Sequence, residues 1–336
     1  MGALGKMEME KVPKAGYQIE GLWISGLQRR LTLKNLLFPI KLLHSSLRAR
    51  QIISEFKPDV AIGVGGFASG PLLRMAELKG IPTLLQEQNG YAGLTNKLLA
   101  AKAHKICVAY PNMEKYFPKD KIIFTGNPVR TDIMELKALK EEALKHYGFT
   151  ANKPVLFIFG GSLGARTFNE CLEASANLLM EEGFQVIWQT GKNNFEAINQ
   201  RMKHPPKELV ILPFIEKMEL AYACADLVVA RAGALSISEL CLAQKATILV
   251  SSPNVAEDHQ TKNAMALVKE NAAELISDKE AKEKLINTAI ALLKNKERRT
   301  ILEKNIKAFG KPNAATDIAT EIFRLVEKPV TAITNN

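Results

Sequence analysis

Two short runs of this sequence carry the residue types of anion-binding loops. Gly63-Val64-Gly65-Gly66-Phe67-Ala68-Ser69-Gly70 follows the apolar stretch Asp59–Ile62, and Gly160-Gly161-Ser162-Leu163-Gly164-Ala165-Arg166 follows Val155–Phe159. Glycine lets a backbone turn tightly and come close to a ligand. A helix that opens straight after such a turn aims unpaired N–H groups and a partial positive charge at whatever sits there. The chemistry these loops suit is the holding of phosphate or diphosphate groups. The first run also fits G-x-G-x-x-A, and Glu87 follows about 20 residues later, where a ribose-binding acid would stand. A nicotinamide-dependent oxidoreductase is therefore one reading. Against it, the run lies beyond the first strands, and the second loop has no role in that reading. Glycine turns that bind nothing are a further alternative for either loop.

Such loops need strands and helices to hold them. Strand patterns occur at about 19–24, 59–64, 81–86, 105–109, 121–125, 155–159, 184–189, 208–212, 226–230 and 246–250. Helical patterns fill most of the gaps, among them 132–146, 166–182, 234–244, 259–271 and 314–326. The alternation predicts an α/β protein with mostly parallel sheets covered on both faces. A chain of 336 residues can build two such domains, and Asn127-Pro128 is the natural junction. The opening stretch Met1–Glu10 is small and charged, where a doubly wound domain would start on a buried strand. The expectation is either a natural alternative start or the absence of one strand–loop–helix–strand unit.

Composition narrows the classes. Cys107, Cys171, Cys224 and Cys241 show no CxxC spacing, which argues against a zinc site or a disulfide framework and for a reducing compartment. The sequence reading expects no signal peptide, and no apolar run is long enough to span a bilayer. A formal charge of +10 calls for an anionic partner: nucleic acid, a membrane surface or a phosphorylated substrate. No nucleic-acid module is present, and the basic residues interleave with aliphatics rather than stacking aromatics.

Six motifs in order carry a resemblance. They are the run at 63–71, Gln86-Glu87-Gln88-Asn89-Gly90, Gly126-Asn127-Pro128-Val129-Arg130, the run at 160–166, Arg231-Ala232-Gly233-Ala234-Leu235-Ser236-Ile237-Ser238-Glu239, and Asp258-His259-Gln260-Thr261-Lys262-Asn263-Ala264. Together they resemble the MurG family of bacterial N-acetylglucosaminyltransferases, from about residue 3 to the terminal helix. The resemblance implies GT-B architecture, two Rossmann-like doubly wound domains facing a cleft, the first incomplete at its N-terminus. It implies inverting transfer of N-acetylglucosamine from UDP-GlcNAc to the C4 hydroxyl of lipid I, the undecaprenyl-diphosphate-linked muramoyl-pentapeptide. Residues 1–130 would form the acceptor and membrane-facing domain, with helix 313–329 packing back onto it. Residues 131–312 would bind the nucleotide sugar. The setting implied is peripheral, on the cytoplasmic face of the bacterial inner membrane. No cofactor and no metal are implied, since helix N-termini and arginine can stabilise departing UDP.

The resemblance also assigns residues. Residues Ala234, Leu235, Ser236, Ile237, Ser238 and Glu239 fall to the nucleotide. Glu239 suits two ribose hydroxyls; a solvated helix carboxylate is its bland alternative. Gln260, both donor and acceptor, suits a sugar hydroxyl. Ile215 would offer its backbone to uracil with Phe214 beside the ring, or both are core residues. Ser162 would face the diphosphate or sugar. Asn89 and Arg130 would reach the nucleotide sugar from the first domain, or Arg130 forms an interdomain salt bridge. Arg231 would screen phosphate charge or cap a strand through an ion pair. Gly65, Gly66 and Ser69 would take the acceptor's diphosphate.

One family feature has no counterpart in the sequence. The family opens on a strand followed by Gly-Gly-Thr-Gly-Gly-His, whose histidine is its candidate catalytic group. His44, His104, His146 and His204 lack motif context, and His259 matches the donor side, so the catalytic base is unassigned. The expectation is a chain that binds UDP but forms little product; a donor-binding remnant is the non-enzymatic form of this reading. The membrane-facing surface is read at Arg29, Arg30 and Lys34, interleaved with Leu31, Leu33, Leu36, Leu37 and Phe38, then Pro39 in the first turn of a helix carrying Lys41 and Arg48. A core-packed helix with a solvated basic face is the alternative.

Overall fold

A computed structural model describes residues 1–26, 36–252 and 259–327, in two compact units. One is Met1–Gly126 together with the chain from Asn313 onward; the other is Asn127–Pro312.

In the first unit, strand β1 (Gly2–Ala3) pairs in parallel with β2 (Gly21–Leu22), and helix α1 (Glu8–Lys14) lies between them in sequence. Helix α2 (Phe38–Phe56) starts with Pro39 in its first turn, where a missing N–H loses no bond. A four-stranded parallel sheet follows, in the order β3 (Ala61–Gly63), β4 (Thr83–Glu87), β5 (Lys105–Val108) and β6 (Ile122–Phe124). Helices α3 (Ser69–Leu78) and α4 (Leu94–Leu99) fill the first two crossovers. Leu73, Leu84, Leu85 and Ile106 are wholly buried. The C-terminal helix Ala314–Val326 packs Ile318 against Leu84 and Cys107.

In the second unit, helix α5 (Lys140–Tyr147) precedes β7 (Val155–Phe159), α6 (Arg166–Glu181), β8 (Gln185–Gln189), α7 (Lys192–Arg201), β9 (Leu209–Leu212) and α8 (Met218–Cys224). The chain continues through β10 (Leu227–Arg231), α9 (Ala234–Ala243), β11 (Thr247–Ser251), α10 (His259–Val268), β12 (Glu274–Ser277), α11 (Ala281–Lys294) and α12 (Lys296–Ile306). All strand pairings are parallel, in the order β12-β11-β10-β7-β8-β9. Read from β9, this is the doubly wound order 3-2-1-4-5-6. Alternate residues of β7 enter opposite layers: Phe157 and Phe159 join Tyr222 on one face, Leu156 and Ile158 join Trp188 on the other.

The sequence reading differs at its edges. It expects ten strands, and the structure adds Gly2–Ala3 and Glu274–Ser277, each too short to display a period. The helix expected at 132–146 starts only at Lys140. Before it, short turns close Met134 onto Thr131 and Leu139 onto Leu136, and they carry Ile133 and Leu136 into the core. The helix expected to reach 271 ends at Val268, and Asn271 adopts a left-handed φ of 55°.

Candidate active site

Strand order reverses between β7 and β10 in the second unit. Doubly wound sheets bind ligands outside the carboxyl ends of the strands at such a point. Beyond β7 the chain turns through Gly160–Ala165 into α6. Gly161 and Gly164 have φ of +82° and +77°, and a Cβ on Gly164 would stand 2.0 Å from the Thr190 carbonyl oxygen. Only glycine fits there. Ser162 and Leu163 are exposed at the tip.

Beyond β10, Gly233 is extended (φ −70°, ψ 146°) and α9 opens on Ala234, Leu235 and Ser236. Ile237 is buried. Ser238 Oγ donates to the Ala234 carbonyl at 3.0 Å and accepts from Asn127 Nδ2 at 3.1 Å. At the next residue, Glu239 Oε1 accepts from Arg130 Nε at 3.0 Å and Oε2 accepts from the Tyr222 hydroxyl at 3.1 Å. The Glu239 side chain is only 15% exposed against 41% for Arg130, so this is no solvated helix carboxylate. Tyr222 is wholly buried; burial first, then the Glu239 charge, pushes its phenol well above 10, so it stays a proton donor. Arg130 belongs to the second unit rather than to the first domain, and its salt bridge is internal to that unit.

Arg231 takes the ion-pair role: it lies 2.5 Å from Asp278 Oδ1, and its guanidinium sits 4.7 Å from the Phe168 ring centroid. Phe214 is 41% exposed rather than core, with the Lys192 ammonium 5.7 Å from its ring. Ile215 is core, and its N–H donates to Gln189 Oε1 at 3.1 Å. The amide that the resemblance offers to uracil is thus engaged within the protein. Gln189 Nε2 in turn donates to the Gly161 carbonyl at 2.8 Å. Gln260, in the first turn of α10, accepts from the Ser252 N–H at 2.8 Å. Asp258 lies outside the described residues, as do Arg29, Arg30, Leu31, Leu33 and Lys34.

In the first unit, Gly65 and Gly66 have φ of +86° and +77°, and nothing lies within 4 Å of a Cβ built on Gly66. Ser69 Oγ donates to the Gly65 carbonyl at 2.5 Å, and Gln88 Nε2 donates to the Val64 carbonyl at 2.8 Å. Glu87 is 2% exposed. Its Oε1 accepts from the Asn89 N–H at 3.1 Å; its Oε2 accepts from the Gly93 N–H at 3.0 Å and Asn96 Nδ2 at 2.8 Å. That carboxylate organises the loop holding Asn89. Almost fully buried and bonded within its own loop, it is poorly placed to serve as the ribose-binding acid that the oxidoreductase reading required. His104 is also structural, its Nδ1 accepting from the Thr83 N–H at 3.2 Å.

Sequence reasoning missed Tyr222 and Gln189. Both left a signal. Apart from the half-buried Glu219, every residue of Met218–Cys224 is buried, so a tyrosine there needs a hydroxyl partner. Gln189 ends a strand buried at every position, where an amide must be satisfied.

Comparison with known proteins gives the family. Residues 1–108 match the glycosyltransferase family 28 N-terminal domain, and residues 155–322 match the corresponding C-terminal domain. A relative from Cytophaga hutchinsonii is 52% identical over 326 residues, 97% of this chain and 88% of its own length. One from Porphyromonas gingivalis is 52% identical over 329 residues, 97% of this chain and 87% of its own. Both are named UDP-N-acetylglucosamine–N-acetylmuramyl-(pentapeptide) pyrophosphoryl-undecaprenol N-acetylglucosamine transferase. The crystal structure of Acinetobacter baumannii MurG superposes with a TM-score of 0.75 at 30% identity, covering 96% of this chain and 89% of that one. The calicheamicin glycosyltransferase CalG4, at 14% identity and a TM-score of 0.65, shares the fold alone. With two parallel-sheet units of GT-B type and these matches along its length, the chain belongs to the MurG family of glycosyltransferases.

Proposed function

We propose that this chain moves N-acetylglucosamine from UDP-GlcNAc to the C4 hydroxyl of lipid I, giving lipid II for peptidoglycan synthesis. The observation that carries the reading is Glu239, a nearly buried carboxylate one turn into the helix at the strand-order reversal. Its two oxygens suit the two hydroxyls of a ribose. The α9 amides of Ala234, Leu235 and Ser236 and the exposed Ser162 would take the diphosphate. Gln260 would read the sugar. In the first unit, Gly65, Gly66 and Ser69 would receive the diphosphate of lipid I. Calorimetric titration tests the donor side. UDP-GlcNAc should bind and NADH should not; binding of NADH without UDP-GlcNAc would overturn the reading. Radiolabel carried from UDP-GlcNAc onto lipid I identifies the acceptor.

The lipid acceptor calls for a peripheral site on the cytoplasmic face of the plasma membrane. Helix α2 supports this. Its inner face buries Ser45, Ala49 and Ile53, while Ile40, Leu43 and Leu47, at helical spacing along it, are 57–64% exposed. An apolar stripe of this kind suits shallow insertion among headgroups. Lys41 and Arg48 are partly engaged elsewhere: Lys41 with Ser25 and the Trp23 ring, Arg48 with Glu20. Arg29, Arg30 and Lys34 are the basic residues assigned to anionic lipid. Among the described residues, no helix is long and apolar enough to cross a membrane.

A further inference from the structure

Glu239 is held by two partners of opposite character. Arg130 is a half-exposed side chain that reaches Oε1. Tyr222 is fixed: its ring packs edge-on against Phe157 and Phe159, with centroids 5.6 and 6.3 Å away, and its hydroxyl has no solvent to turn to. A glutamate side chain has three rotatable bonds, and ordering them on binding weakens affinity. A buried hydroxyl that fixes one oxygen before the ligand arrives removes part of that cost. Arg130, by contrast, occupies the outer oxygen and can withdraw to solvent.

We infer that Tyr222 is a positioning residue for nucleotide-sugar recognition, fixing the Glu239 carboxylate in the orientation that receives the ribose diol. The inference rests on the assignment of Glu239 to ribose. Tyr222 itself touches no substrate; it acts through the carboxylate. Its phenol stays protonated because burial and the adjacent negative charge both oppose its ionisation. The contact is therefore made by a neutral donor hydroxyl.

The test is Tyr222→Phe, which keeps the ring and removes only the hydroxyl. Binding of UDP and of 2′,3′-dideoxy-UDP is measured by calorimetry in the wild type, Tyr222→Phe, Glu239→Ala and the double variant. Tyr222→Phe should weaken UDP roughly 3- to 10-fold, the range of a single hydrogen bond. It should leave dideoxy-UDP unchanged and add nothing in the Glu239→Ala background. Equal weakening of UDP and dideoxy-UDP would mean a packing defect and overturn the inference; unchanged UDP affinity would do so as well. If Glu239→Ala itself leaves UDP affinity intact, the ribose assignment falls and the inference with it. That failure is distinguishable because it appears in the single Glu239 variant. Thermal melting of each variant keeps a folding loss separate from a recognition loss.

Discussion

The Gln189 side chain accepts a hydrogen bond from the Ile215 backbone at 3.1 Å while its amide donates to the Gly161 carbonyl at 2.8 Å. One buried side chain thus ties the glycine turn after β7 to the loop after β9. Under the proposed function these are the diphosphate and uracil ends of the same nucleotide. Gln189→Ala should strand the Ile215 N–H and loosen both loops. Leaving a buried polar group without its partner costs about 1–3 kcal/mol. The expected outcome is a lower melting temperature, with UDP and UDP-GlcNAc weakened to the same degree. Unchanged UDP affinity in a destabilised variant would confine Gln189 to folding.

Glu239 and Gln260 should separate by ligand. Glu239→Ala should weaken UDP and UDP-GlcNAc together, since both carry ribose. Hydrogen bonds to a charged group are worth about 1.5–3 kcal/mol, so the loss should be roughly 10- to 150-fold. Gln260→Ala should weaken UDP-GlcNAc and spare UDP, because its amide is assigned to the sugar. Its oxygen also holds the Ser252 N–H, so a small stability loss should accompany the change. Calorimetry with the two ligands checks both; loss of UDP binding in Gln260→Ala would assign that residue to the nucleotide.

Two glycines of the second loop should respond unequally to alanine. Gly161 has a left-handed φ but open space around it. Gly161→Ala should lose about 1–2 kcal/mol for the conformation alone. Gly164 has the same sign of φ, and its added Cβ would meet the Thr190 backbone. Backbone atoms cannot yield as a side chain can, so Gly164→Ala should be markedly worse in melting temperature and in UDP binding. Equal melting temperatures would show that the turn relaxes around Thr190.

Much of this was legible in the sequence, for a physical reason. Strands buried on both faces read as apolar runs, so Val155–Phe159 and Leu227–Arg231 announce themselves, and the glycine turns after them mark the site. Glu239 was legible through its motif. Its partners were not: Tyr222 lies 17 residues away and Arg130 109 residues away along the chain. A contact made by tertiary packing leaves no period. Glu87 was misleading for the same reason. Spacing alone fitted a ribose acid, while the fold spends its carboxylate on Asn89, Gly93 and Asn96.

Membrane association should have two separable parts. The basic residues Arg29, Arg30 and Lys34 would act through the surface potential of anionic lipid, worth about 1 kcal/mol each near such a surface. Their joint replacement should remove roughly 3 kcal/mol of attraction, and what binding remains should be less sensitive to salt. The stripe Ile40, Leu43 and Leu47 is exposed on α2 and would act by burying apolar area, a contribution that salt does not screen. Replacing those three with serine should weaken binding at every ionic strength. The helix should survive, because Ser45, Ala49 and Ile53 on its other face are untouched. Co-sedimentation with anionic vesicles across a salt series distinguishes the two parts. If the serine variant sediments like the wild type, α2 does not meet the bilayer. If the basic variant keeps its full salt dependence, other cations among the 45 lysines and arginines carry the attraction.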